Sequence, residues 1–485
     1  MREIKVGNKT PADNYRRITI IVFSLFFSWL LAFPFEGRIL YTLADYHNIS
    51  AHQLVFSNIA AHFLGLVFCG FFVKTMQTAK RLMLFSITFC LLVSGVFFLS
   101  PTFFWAPALL LASFLAGYSV AAWGYFLKNS TPQGERIKTM ADGLIYSNIL
   151  MILIKMVTVH TSAYTGLALS MLMLATAFLF ALKLPQKDVV NGRITSEQHQ
   201  NGPISINKPL AFLCLFIVVI TLNSGLMYQV QVPAFAHLGW LASWYWAIPY
   251  IVALYIMRNL PRRTNRTYVL YVAIAMIGFS FIAFKLLDRS WGSYLIVNTL
   301  MLGACGVYDL FWWSILGDML DMDKNPSRIL GLGLSANVLG VLLGGITGRA
   351  IFYVNGQGPY VTLLALAVVC ATLVMLPPLH KSLTAVLKNH IYLTNISEMP
   401  EQDQNQLIRD FILMEKLTER ESEIIVLLLK GKTYRMIAGE LQLSENTVKT
   451  HVKNIYSKAG VQSRAELINN MFDVQTLAIR PTKSL

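Results

Sequence analysis

The chain has 485 residues, 55% hydrophobic and 13% charged, with a mean hydropathy of +0.54 and a formal net charge of +15. Soluble globular domains carry about 25% charged residues, so the composition excludes an ordinary soluble enzyme. The positive charge fits nucleic acid, an acidic membrane surface or basic cytoplasmic loops, and its distribution along the chain has to choose among them.

Apolar runs of about 18 to 25 residues are long enough to cross a bilayer as helices. In chain order they are predicted near 18–35, 53–73, 82–100, 103–127, 139–160, 163–184, 209–230, 234–257, 267–287, 291–316, 329–353 and 359–379. The first follows Arg16 and Arg17 like the opening of a signal peptide, but no A-x-A-like cleavage site comes after it and further runs do. It is read as a retained helix. Cys69, Cys90, Cys214, Cys305 and Cys370 lie far apart in apolar stretches without CxxC or CxxH spacing, and are read as packing residues. With no metal cluster, nucleophile motif or phosphate loop in view, neither an enzyme nor a cofactor is expected.

The basic residues choose an orientation. Arg2, Lys5, Lys9, Arg16 and Arg17 precede the first run, and alternate loops carry Lys74, Lys80 and Arg81; Lys128, Arg136 and Lys138; Lys183, Lys187, Arg193 and Lys208; Arg258, Arg262, Arg263 and Arg266; Lys324 and Arg328. The intervening loops carry Arg38, Lys285 and Arg289. Positive charge stays inside, so both termini are expected in the cytoplasm. The predicted layout is a cytoplasmic segment at 1–17, a membrane half of six helices at 18–184, a polar linker at 185–208, and a second six-helix half at 209–379. A cytoplasmic connector follows at 380–413, then a small module at 414–472 and a tail at 473–485.

Six helices, a linker and six more resemble the major facilitator superfamily, which implies two pseudo-repeats around a central cavity. The loop VKTMQTAKRL between the second and third runs keeps that family's basic residues and lacks its Gly and Asp. Charges deep in a membrane are costly and face a cavity or a partner. Asp309 in the tenth run, Lys155 in the fifth and Arg349 in the eleventh are therefore candidate ligand-binding residues, with Trp312 beside Asp309. Asp309 could instead pair with a base to hold the halves together, and Lys155 and Arg349 could reach the surface along their stems. Trp123, Trp240, Trp244, Trp246, Trp312 and Trp313 would suit an aromatic or cationic small molecule if they line a cavity, and would be interfacial anchors otherwise. Gly340, Gly344 and Gly348 recur every four residues, a pattern for close helix packing.

After about Leu379 the hydropathy collapses, and helix starts become legible. Thr418 with Glu421, and Ser463 with Glu466, form capping-box patterns before apolar runs. Gly431 stops the first helix, Thr433 opens the second and Ser444 caps the third. Helices are expected near 419–430, 434–441, 445–459 and 464–472, and LIRDFILMEKL ahead of them is expected to be helical. Ile437, Ala438 and Leu441, a short turn, and Val448, Val452 and Ile455 then give a helix-turn-helix, whose second helix enters the major groove of DNA. The run LTERESEIIVLLLKGKTYRMIAGELQLSENTVKTHVKNIYSKAGVQSRAEL resembles a LuxR-type (NarL/FixJ-like) DNA-binding domain almost from end to end. Met436 departs from it, standing where the family often has an acidic capping partner.

That resemblance implies base contacts from Lys449, Thr450 and Lys453, phosphate contacts from Ser444, Thr447, Asn454 and Thr433, and a homodimer formed through the last helix on a two-fold double-stranded DNA site. The expected fold is thus all-α, with about twelve transmembrane helices (6+6, major-facilitator-like) and a C-terminal four-helix LuxR-type domain. The expected function is a one-component transcription regulator in a bacterial cytoplasmic (inner) membrane, embedded in the lipid bilayer and responding to an unidentified small-molecule ligand. The alternative is a secondary transporter with an appended regulatory domain, coupled to protons through Asp309.

Overall fold

The computed structural model describes residues 11–35, 38–49, 51–99, 104–186, 206–260, 266–355, 359–398, 401–429, 432, 434–461, 467 and 470–471. Among these every regular element is helical. In chain order they are α1 (Pro11–Leu30), α2 (Arg38–Tyr46), α3 (Ala51–Phe72), α4 (Met76–Val96), α5 (Trp105–Ser130), α6 (Arg136–His160), α7 (Ala163–Ala181), α8 (Asn207–Leu226), α9 (Val232–Ala234) and α10 (Gly239–Tyr245). They continue with α11 (Ile248–Asn259), α12 (Arg266–Leu286), α13 (Trp291–Met319), α14 (Pro326–Asn355), α15 (Pro359–Glu398), α16 (Glu401–Met414), α17 (Glu419–Leu429), α18 (Tyr434–Glu440) and α19 (Glu445–Lys458). The chain divides into two units, 1–191 with 210–377 and 192–209 with 378–485.

Among the described residues twelve spans are long and apolar enough to cross a membrane, in line with the about twelve expected from the sequence. The chain is a multi-pass membrane protein. Expected and observed spans agree at their apolar centres and differ at their ends, because hydropathy falls at the first charges while the backbone ladder continues. The third span begins at Met76 rather than near 82, since Thr75 caps it by accepting from the Thr78 N–H at 3.1 Å. Lys80, expected in a loop, is therefore a buried helix residue. Its Nζ donates to the carbonyls of Leu182 (2.7 Å) and Leu184 (2.6 Å), just past α7, where backbone acceptors have run out of helical partners.

Two spans contain a π-helical turn next to a proline. Leu31–Phe35 holds Pro34, which has no N–H to continue the ladder, and Asn58 Nδ2 donates to the Pro34 carbonyl at 3.2 Å. Met227–Gln231 precedes Pro233 in the same way. The expected glycine stripe packs as its spacing implied. A Cβ on Gly344 would stand 2.1 Å from the Leu222 carbonyl oxygen, so α14 and α8 meet backbone to backbone and only glycine fits.

In the C-terminal unit, Leu407 and Phe411 of α16 join Ile424, Ile425, Leu428 and Leu429 of α17, Ile437 and Ala438 of α18, and Val448, Val452 and Ile455 of α19 in one buried core. Thr418 and Glu421 form the expected capping box: the Thr418 N–H donates to Glu421 Oε2 at 2.9 Å and the Glu421 N–H to Thr418 Oγ1 at 3.3 Å. Three helices then end alike. Leu417 donates to the Ile412 carbonyl (3.1 Å), Leu443 to Ala438 (2.8 Å) and Val461 to Tyr456 (2.9 Å), each bond spanning a left-handed residue, Lys416, Gln442 or Gly460. The closures at Lys416 and Gln442 set the short connections from α16 to α17 and from α18 to α19. The expected Gly431 stop, the Thr433 start and the Ser463/Glu466 capping pair lie outside the described residues. Of the helix expected at 464–472, Leu467, Asn470 and Met471 are described, with Leu467 and Met471 in the core.

Candidate functional site

A cavity of about 830 Å³ opens between the two membrane halves, within the range of small-molecule pockets. The first half contributes Leu31, Phe35, His62 and Lys155 to its wall, and the second Tyr228, Trp246, Tyr250, Asp309 and Trp313. Both π-helical turns supply lining residues, since a widened turn aims side chains that a regular helix would direct elsewhere.

Asp309 lies on this wall, where Tyr250 OH donates to its Oδ2 at 3.0 Å and Trp312 Nε1 to its Oδ1 at 3.1 Å. Trp312 is fully buried, orienting the carboxylate without lining the cavity, and its neighbour Trp313 faces inward instead. Lys155 also lines the cavity, its Nζ 6.0 Å from the centre of the Trp246 ring. Trp246 is anchored by its carbonyl, which accepts from Asn298 Nδ2 at 3.2 Å. Arg349, on α14, is half-buried and not among the lining residues. Of the other tryptophans considered, Trp123 is buried against Phe23, and Trp240 and Trp244 are exposed.

Sequence reasoning passed over His62, Tyr228, Tyr250, Arg38 and Asp45, all on the cavity wall. His62 is a polar residue inside the second apolar run, and the rule that selected Asp309 would have found it. Its Nδ1 lies 3.3 Å from the Ser113 carbonyl, and its ring meets the edge of Phe35.

The far end of the bundle is tied shut between the halves. Arg136, at the start of α6, donates to both Asp321 carboxylate oxygens (2.6 and 2.8 Å) and to the Gly317 carbonyl (2.9 Å). Arg258 grips Asp142 with two nitrogens, at 2.5 and 3.2 Å, and Asn325 Nδ2 reaches the Gly70 carbonyl at 2.7 Å. The mouth lies at the opposite end, where Arg38 and Asp45 stand exposed.

The second candidate is α19. Ser444 caps it, accepting from the Thr447 N–H at 3.0 Å. Val448, Val452 and Ile455 are buried, spaced so that one stripe faces the core, while Lys449, Thr450, Lys453 and Asn454 are exposed on the other side and Thr447 is half-buried. Thr450 Oγ1 bonds the Asn446 carbonyl at 3.0 Å, and Lys449 pairs with Glu445 at 2.9 Å, both partners being about half-exposed. The structure thus gathers six of the seven residues expected at DNA; the seventh, Thr433, lies outside the described residues.

The helix is tied to its neighbours from behind. Lys458, in its last turn, donates to Glu421 Oε2 at 2.6 Å and to the Lys416 carbonyl at 3.3 Å. Arg420 of α17 donates to the Leu441 carbonyl at the end of α18 at 2.7 Å. Burial pushes the Glu421 carboxyl up, but Lys458 and the Thr418 N–H and hydroxyl outweigh it and hold it below the usual carboxylate range.

Residues 415–471 match the GerE family, bacterial regulatory proteins of the luxR family. The response regulator protein VraR of Staphylococcus aureus is 43% identical over 65 residues, 13% of this chain and 31% of that protein, and VraR of Staphylococcus epidermidis matches equally. This chain therefore spans under a third of the length of the curated relatives it matches. The crystal structure of the human organic anion transporter MFSD10 (TETRAN) superposes with a TM-score of 0.58 at 13% identity, covering 76% of this chain and all of that one. The protein carries a LuxR-type helix-turn-helix segment on a membrane body with a major-facilitator-like fold.

Proposed function

We propose, from a LuxR-type segment joined to a twelve-helix body, that this chain is a membrane-bound one-component transcription regulator whose cavity senses a small molecule. Both termini are cytoplasmic in this reading, and two copies pair through their C-terminal modules on a two-fold DNA site. The observation that carries it is the exposed face of α19, where Lys449, Thr450, Lys453 and Asn454 stand clear of the Val448, Val452 and Ile455 stripe. Lysine there can donate to guanine acceptors or neutralise phosphate. Ser444, Thr447, Asn454 and Thr433 are assigned to phosphates. A ligand acts by preferring one conformation of the body, and a preference of about 1–3 kcal/mol shifts DNA occupancy roughly 5- to 150-fold.

The test is selection from a random duplex library by the full chain in lipid nanodiscs. Enrichment of a two-fold symmetric site, lost with Lys449→Ala/Lys453→Ala, is the expected result. No enrichment, or the same site recovered by the double variant, defeats the reading. The placement of Asp309 on the cavity wall also favours a second reading, proton-coupled transport; uptake into proteoliposomes abolished by Asp309→Asn would establish it.

A further inference from the structure

We propose that the cavity takes an arylalkylamine: a molecule with one aliphatic ammonium group on an aryl-bearing frame, its cation paired with Asp309. This deepens the reading of the cavity as a ligand site and rests on it. Both hydrogen-bond donors to Asp309, Tyr250 and Trp312, are neutral, and among the described residues the carboxylate forms no ion pair. An ionised carboxylate offers about four acceptor positions, so the two donors leave room for an ammonium from the cavity side. Charges removed from water need a partner of opposite sign.

Depth separates this carboxylate from the cavity's lysine. Arg136 meets Asp321 and Gly317, so α6 and α13 run antiparallel, and His160 lies at the same end as Trp291. At 1.5 Å per residue, Asp309 stands about 27 Å along its span from Trp291, whereas Lys155 stands about 8 Å from His160. Asp309 is thus near the floor and Lys155 near the mouth. Between them the wall presents Tyr228, Trp246 and Tyr250, with Trp313 one turn below Asp309, and the faces of these rings attract a cation and stack on an aryl ring. Lys155, over Trp246 near the mouth, disfavours a second cation there.

The test uses the full chain in nanodiscs and reads the shift in its unfolding temperature and its tryptophan fluorescence. The probes are 2-phenylethylamine and tryptamine, with 2-phenylethanol and 3-phenylpropionate as the neutral and anionic counterparts. The amines are expected to give saturable shifts and the counterparts none. Asp309→Asn, checked for an unchanged unliganded unfolding temperature, should weaken the amines at least 10-fold, Asp309→Glu should keep the preference for amine over acid, and Lys155→Met should not weaken the amines. No saturable shift with either amine, or a shift with 3-phenylpropionate that Lys155→Met removes, would overturn the inference. Amine binding that leaves DNA occupancy unchanged would uphold it while defeating the sensor reading.

Discussion

Phe411 stands ahead of the segment that matches the luxR family, yet it is fully buried in the core shared by α17, α18 and α19. Its replacement by alanine removes a whole ring from that core. Phe→Ala at such sites costs about 3–5 kcal/mol, and a single core in a module of roughly 70 residues rarely supplies more than about 3–5 kcal/mol in total. Phe411→Ala should therefore leave the module substantially unfolded. At about 1.4 kcal/mol per decade, amides that exchange by global opening should speed up roughly 150- to 5,000-fold. Hydrogen exchange of the full chain, read at Val448, Val452 and Ile455, measures this directly. If protection there survived Phe411→Ala but collapsed with Leu428→Ala, α16 would be a connector lying on the module and not part of its core.

Three further outcomes follow from particular contacts. Arg136→Leu leaves the mostly buried Asp321 carboxylate without its guanidinium and should lower the unfolding temperature of the full chain in nanodiscs, with a cost toward the lower end of about 3–5 kcal/mol. Arg136→Leu/Asp321→Leu should recover part of it, and equal losses in the single and double variants would refute the pairing argument. Because the folded pKa of Glu421 is depressed, its contribution is present above the unfolded carboxylate pKa and is lost as pH falls through the lower folded value. Glu421→Gln should flatten that acid limb in exchange measurements on the module, and an unchanged limb would contradict it. A Cβ on Gly460 or Gly439 would meet nothing within 4 Å, but Gly460 sits at φ +63°; Gly460→Ala should destabilise the module by about 1 kcal/mol and Gly439→Ala, in a helix, stabilise it by about 0.5–1 kcal/mol. Exchange protection moving in the same direction for both would refute the backbone argument.

What could be read from the sequence followed the solvent. In the C-terminal module one face of each helix meets water, so the spacing of Val448, Val452 and Ile455 and the Thr418/Glu421 pattern announced helices, face and start together. LIRDFILMEKL was legible as a helix, but no spacing says which core Leu407, Ile408, Phe411 and Ile412 join. In the membrane body a helix is apolar all round, and its pattern gives length without direction. The twelve spans were legible for that reason. The inward turn of Trp313 but not Trp312, and the place of Arg349 off the wall, were not. Lys80 and Arg136 were legible as charges near helix ends, but their carbonyl and carboxylate partners come from residues over a hundred positions away.

The central claim is that a cavity in the membrane body and a DNA-reading helix serve one regulatory act in one chain. Genome-wide DNA occupancy of the full-length membrane protein, beside expression profiling and with Lys449→Ala/Lys453→Ala as control, tests it most directly. Discrete peaks lost in the double variant, with expression of the neighbouring genes changing in parallel, are the expected result. An absence of peaks under every growth condition, or peaks that persist in the double variant, would contradict it.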